Sequence, residues 1–215
     1  MLRVLLVEDE ALLRLTLAAT LPDETMTVVG SFGDAKSAVA AAAETPFDVL
    51  VTDLDLLQGP GPNGIVVANV VRRAHPEAGI VLLTSYADPR LIGAKLSQVP
   101  KRTEYVRKQD VVELEVLRSA IRRSFDGPSA RSLVVPAVEL TDTQVETMRL
   151  VAQGLSNAEI ARLRFVTERA VEMSLYRIAR NLGYSSDAAQ NTRARIVRSY
   201  YGMTGSGNAR DAAAT

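Results

Sequence analysis

The chain has 215 residues, 47% hydrophobic and 23% charged, with 25 basic and 25 acidic side chains and therefore no net charge. That is the balance of one large or two ordinary soluble domains able to bury a sizeable core. The absence of cysteine excludes disulfides and thiolate metal sites. No apolar run has the length of a membrane span or the form of a secretory leader, so a cytoplasmic protein without membrane attachment is expected.

Taken in chain order, the first 125 residues alternate short apolar runs with helical spacing. The runs are RVLLV (3–7), TVVGSF (27–32), DVLVTD (48–53), GIVLLTS (79–85) and EYVRK (104–108). Between them, residues 10–21, 34–44, 63–74, 88–99 and 110–125 carry apolar side chains at helical intervals. Five such βα units predict a parallel, doubly wound sheet with helices on both faces. The first, third and fourth runs are the most uniformly apolar and are expected at its centre, and the more polar fifth at an edge.

From residue 126 to 138 the text DGPSARSLVVPAV reads as a linker. Helices alone follow over 139–202, giving an all-α domain of four helices, and 203–215 reads as a disordered tail. The first of these helices starts at Thr141 or Asp142 and stops at Gly154. The second opens with Ser156 and Glu159 in capping-box spacing, and the third runs from Thr167 to Gly183. Residues 140–205 hold nine arginines against six acids, a mild basic bias. They hold no histidine and no paired catalytic groups, so no enzymatic output is expected. The single histidine, His75, reads as a surface residue.

In a parallel α/β sheet, functional groups collect at the carboxyl ends of the strands. Those ends carry Glu8 and Asp9, Asp53, Thr84 and Lys108. Crowded carboxylate oxygens suit a hard divalent cation such as Mg²⁺, and a carboxylate beside it can serve as a nucleophile toward phosphorus. Lysine and threonine supply a charge and a hydroxyl for phosphoryl oxygens. Glu10, the third acid of the run, reads as a helix-start residue.

This constellation, strand by strand, resembles the receiver domain of two-component response regulators. The resemblance implies that Asp53 accepts a phosphoryl group from a sensor histidine kinase. It also implies that Glu8, Asp9, Asp53 and the backbone carbonyl of Asp55 hold Mg²⁺, that Lys108 pairs with the phosphoryl group, and that Thr84 and Tyr105 act as switch residues. The chain departs from the family at Leu57, where a proline is usual, and in QGPGPNG (58–64), which looks like an insertion of about three residues.

In the helical domain, Val171, Leu175, Ile178 and Leu182 share one helical face, and Arg169, Glu172, Met173, Tyr176, Arg177 and Arg180 the other. A helix of this kind behind a capped scaffold helix suits a major groove. The pieces LTDTQVETMRLVAQGLSNAEIA, VTERAV, LYRI and NLG resemble the LuxR/NarL class of helix-turn-helix domains. The resemblance implies that 168–182 is the recognition helix, with Ser156 at a phosphate, promoter DNA as the target and a homodimer as the phosphorylated form. Glu172 stands where the family often has lysine. Either the operator differs and the arginines carry the phosphate contacts, or DNA binding is weak and the helices serve a protein partner. Arg193, Arg195 and Arg198 read as solvated or dimer-facing.

Overall fold

The computed structural model describes residues 1–56, 63–127, 140–184 and 191–205. The expected insertion (58–64), linker (126–138) and tail (203–215) fall largely outside them. By compactness the chain forms two units, Met1–Thr84 with Leu96–Val134, and Ser85–Lys95 with Val135–Thr215.

The first unit is built on a five-stranded parallel sheet of β1 (Leu2–Val7), β2 (Met26–Phe32), β3 (Val49–Thr52), β4 (Gly79–Thr84) and β5 (Thr103–Arg107), in the order β2-β1-β3-β4-β5. The most apolar runs are thus the interior strands, because only a strand covered on both faces needs apolar residues at successive positions. Around the sheet lie α1 (Ala11–Thr20), α2 (Ala35–Glu44), α3 (Asn63–Ala74) and α4 (Leu114–Asp126). Val4, Leu6, Val49, Val51, Val81, Leu83 and Val106 pack with Leu17 and Leu21 at α1 and Leu117, Ala120 and Ile121 of α4 in one core. Leu5, Leu50, Ile80 and Leu82 alternate with them and are equally buried, which places them on the other face, the side of α2 and α3. His75 is less a surface residue than expected. Its ring Nε2 lies 3.0 Å from the Ala42 carbonyl oxygen, and the ring tilts against Phe47 at 4.9 Å.

The helix expected over 88–99 does not form. Two short 3₁₀ turns, Pro89–Ile92 and Leu96–Gln98, take its place. Asp88 caps the first turn by accepting from the Arg90 backbone N–H, and Gly93 ends it in the left-handed region at φ +85°, a conformation glycine adopts without steric cost. The apolar spacing was real, but its residues are used otherwise. Leu91, 1% exposed, lies in the hydrophobic core of the second unit.

That second unit contains α5 (Asp142–Ala152), α6 (Asn157–Arg164), α7 (Glu168–Asn181) and α8 (Thr192–Met203). Thr141 and Ser156 each close a full capping box, with Gln144 and Glu159, and Thr167 caps α7 through the Ala170 N–H. Gly154 and Gly183 follow α5 and α7 with positive φ. Val145, Met148, Val151, Ile160, Val171, Leu175, Ile178 and Ile196 fill the core. Arg90 donates to Asp88, to the Leu140 carbonyl and to Asp142, and the Tyr200 hydroxyl donates to the Leu91 carbonyl at 3.0 Å. This network holds Ser85–Lys95 among the helices.

Candidate functional site

Strand register aligns the site. Val7, Thr52, Leu82 and Tyr105 form one row across β1, β3, β4 and β5. One residue beyond that row stand Glu8 and Asp53, two beyond stands Thr84, and three beyond stands Lys108. Each strand therefore delivers its polar residue at the carboxyl edge, where the apolar pattern ends.

Glu8, Asp9 and Asp53 each offer a carboxylate oxygen, and the three oxygens lie within 4.8 Å of one another. Glu8 and Asp53 are buried and Asp9 is half-buried. Lys108 Nζ donates to Asp53 Oδ2 at 2.7 Å and to Glu8 Oε1 at 3.0 Å. It also lies 2.8 Å from Glu8 Oε2, yet that buried oxygen accepts no well-directed hydrogen bond among the described residues. The Asp55 N–H donates to Asp53 Oδ1 at 3.2 Å.

Burial raises the pKa of both Asp53 and Glu8 above the usual carboxylate range, and Lys108 only partly opposes this. For Lys108, burial alone would lower the pKa, but the charges and hydrogen bonds of Asp53 and Glu8 outweigh it and the net direction is upward. One ammonium thus faces three carboxylates. The donor set is all oxygen, carries surplus negative charge and leaves a buried oxygen without a directed donor. It fits a hard divalent cation such as Mg²⁺.

Thr84 is fully buried at the end of β4, and Tyr105 is 6% exposed. Both side chains expected to act as switch residues are therefore buried. Two neighbours were not foreseen as site residues. Gly64, in the first turn of α3, lies so close to the end of β3 that a Cβ there would come within 1.7 Å of the Asp53 carbonyl oxygen. Arg14 donates from Nη1 to the carbonyl oxygens of Glu8 and Asp9. Neither is marked in the sequence, because each acts through a backbone atom of a residue distant in the chain or a turn of helix away.

In the helical unit, Val171, Leu175 and Ile178 are buried and Leu182 is partly buried, whereas Arg169, Glu172, Met173, Tyr176, Arg177 and Arg180 are all exposed. The polar face of α7 is therefore presented to solvent as its spacing predicts. Arg169 Nη1 lies 3.3 Å from Glu172 Oε2, so the acid partly neutralises its neighbour. Ser156 Oγ accepts from the Glu159 N–H and lies 2.7 Å from Glu159 Oε2, which commits the hydroxyl to the cap. Two arginines of α8 are less free than their solvated reading implied. Arg193 donates to Asn157 Oδ1 at 3.1 Å and to the Leu155 carbonyl, and Arg195 stacks over the Tyr184 ring at 4.5 Å.

A parallel sheet with an acidic carboxyl edge, followed by a capped helix-turn-helix unit, is the arrangement of a receiver domain joined to a DNA-binding domain. Residues 4–118 match the response regulator receiver domain family, and residues 138–192 match the bacterial regulatory proteins of the luxR family. The chain belongs to the response regulators with a luxR-type DNA-binding domain, which are regulators of transcription and not enzymes. It is 28% identical to the transcriptional regulatory protein LiaR of Bacillus subtilis, over 91% of this chain and 96% of that one. It is 30% identical to the DNA-binding transcriptional activator DevR/DosR of Mycobacterium tuberculosis, over 85% and 89%. Among solved structures, the fold is similar to the response regulator RcsB in complex with DNA, with a TM-score of 0.58 and 21% identity over 94% of this chain and 98% of that one. No described helix is long and apolar enough to cross a membrane.

Proposed function

We propose that phosphorylation of Asp53 by a sensor histidine kinase controls the binding of promoter DNA by α7, with a cytoplasmic homodimer as the active form. The observation that carries this reading is the Asp53 carboxylate, at a sheet edge, hydrogen-bonded by Lys108 within a cluster of three acids.

Asp53 would attack phosphorus through a carboxylate oxygen. A new O–P bond forms as the P–N bond of the donor phosphohistidine breaks, and the imidazole leaves with the bond electrons and takes up a proton. Glu8, Asp9, Asp53 and the Asp55 carbonyl would hold Mg²⁺, which when bound neutralises charge on the phosphoryl oxygens. Lys108 would exchange a carboxylate oxygen for a phosphoryl oxygen, and the Thr84 hydroxyl would donate to another. Tyr105 would report the change from the adjacent strand.

On the DNA side, Arg169, Arg177 and Arg180 would contact phosphates or guanine edges, and Met173 and Tyr176 would pack in the groove. Glu172 would accept from a cytosine amino group. The N–H groups at the start of α6, beside Ser156, would face a phosphate.

The test is a promoter-fragment titration of wild type and Asp53→Asn, with and without a small-molecule phosphoryl donor, at two salt concentrations. Wild type should incorporate phosphate and bind more tightly once phosphorylated, with affinity falling steeply as salt rises. Asp53→Asn should do neither. Equal DNA affinity in all four states would sink the reading, and salt-insensitive binding would point to a protein partner instead.

A further inference from the structure

Between β1 and α1 lie only Glu8, Asp9 and Glu10, and two of these three residues carry the proposed cation ligands. A helix start is ordinarily locked by a capping side chain. Here Glu10 occupies the N-cap position without any side-chain cap, and no acid stands in the first turn. The loop is held in another way. Arg14, a turn into α1, reaches back so that Nη1 donates to the Glu8 carbonyl oxygen at 2.6 Å and to the Asp9 carbonyl oxygen at 3.2 Å.

Those two carbonyls belong to the peptide groups on either side of the Asp9 Cα. Because each peptide group is planar, fixing both fixes φ and ψ of Asp9 and hence the direction of its Cα–Cβ bond. Glu8 and Asp53 have their carboxylates gathered directly by Lys108. For Asp9, the half-buried member of the trio, the Arg14 tie acts on the backbone.

The guanidinium has a prepared place. A Cβ on Gly33 would lie 2.9 Å from Arg14 Nη1 and 3.2 Å from Cζ, so the missing side chain at 33 is the space the guanidinium occupies. We propose that Arg14, seated against Gly33, is a positioning residue for the cation site, orienting Asp9 through the two peptide groups that flank it. This rests on the reading of Glu8, Asp9 and Asp53 as Mg²⁺ ligands.

The guanidinium charge by itself would oppose a bound cation, so removing the arginine mixes two effects of opposite sign. Gly33→Ala separates them. It keeps the charge, touches none of the acids and presses only on the far end of a flexible side chain, where little stability is lost. Mg²⁺ titration by calorimetry, with thermal melting of the metal-free full chain, should show Kd raised about tenfold in Gly33→Ala at nearly unchanged melting temperature. Arg14→Lys, which keeps the charge and loses the planar guanidinium, should raise Kd in the same direction. In an Asp9→Asn background, Gly33→Ala should add nothing, because the residue being positioned no longer supplies a carboxylate. A Kd equal to wild type in both Gly33→Ala and Arg14→Lys, or a lower melting temperature alone, would overturn the proposal while leaving the cation site intact. A wild-type chain that takes up no Mg²⁺ would overturn the site itself.

Discussion

Lys108 is the residue on which the acid cluster leans most. It donates to both buried carboxylates, and its side chain is only 20% exposed. Removing one partner of a buried ion pair leaves charge without compensation, a cost of about 3 kcal/mol before allowance for the residual exposure. Lys108→Ala should therefore melt well below wild type in metal-free buffer and recover part of the difference in millimolar Mg²⁺, as read by thermal denaturation. An equal loss with and without the ion would mean that Lys108 and the cation do not offset the same charge. At this scale the sequence was legible wherever a side chain does the work. Glu8, Asp53, Thr84 and Lys108 were readable because a parallel sheet gathers strand ends, and the end of a strand shows as the end of an apolar run. Arg14, Gly33 and Gly64 were not, because their partners are carbonyls and a guanidinium brought near only by folding.

Among the elements, strands and capped helices were legible and the segment after β4 was not. Caps and glycine stops are local chemistry: α5, α6 and α7 begin where their caps say, and α5 and α7 stop at Gly154 and Gly183, whereas α6 ends at Phe165 in the left-handed region, which no glycine marks. The spacing of Leu91, Ile92, Leu96 and Val99 is equally helical, but apolar periodicity does not say which core will take a residue, and Pro89 and Gly93 favour a single turn. Ties between elements are likewise specific. Arg3 of β1 donates through its side chain to both carboxylate oxygens of Asp48, just before β3, and through its backbone N–H to one of them. Those hydrogen bonds hold the Asp48 carboxyl below its ordinary pKa. The unfolded chain, at about 3.9, then binds the proton more readily than the folded one. The stabilisation is present above that value and is lost as pH falls through the lower folded value. The melting temperature of wild type should exceed that of Asp48→Asn at neutral pH, and the gap should narrow below about pH 4. A gap constant from neutral to strongly acidic pH would show that the pairing does not depend on the charge.

For the molecule as a whole, division into an α/β half and a helical half was legible in the apolar patterning, but the allocation of residues 85–95 was not. Leu91 belongs to the same core as Met148 and Ile178. Leu91→Ala should destabilise the helical unit by about 2–5 kcal/mol, measured by chemical denaturation. A fragment beginning at residue 135, which lacks Leu91 and Arg90, should be less stable than the same helices in the full chain. Equal stability would mean that the segment contributes nothing to them.

Ser85–Lys95 also carries a consequence for the order in which the protein is made. Leu91 leaves the ribosome before any of α5 to α8 exists, and its carbonyl must wait for Tyr200, 109 positions later. Closing so long a loop is slow compared with forming local helices, so the helical unit cannot finish folding as a late, independent module. Its completed core joins two stretches of chain synthesised at different times. A slow refolding phase that disappears in the fragment beginning at residue 135 would be its kinetic signature.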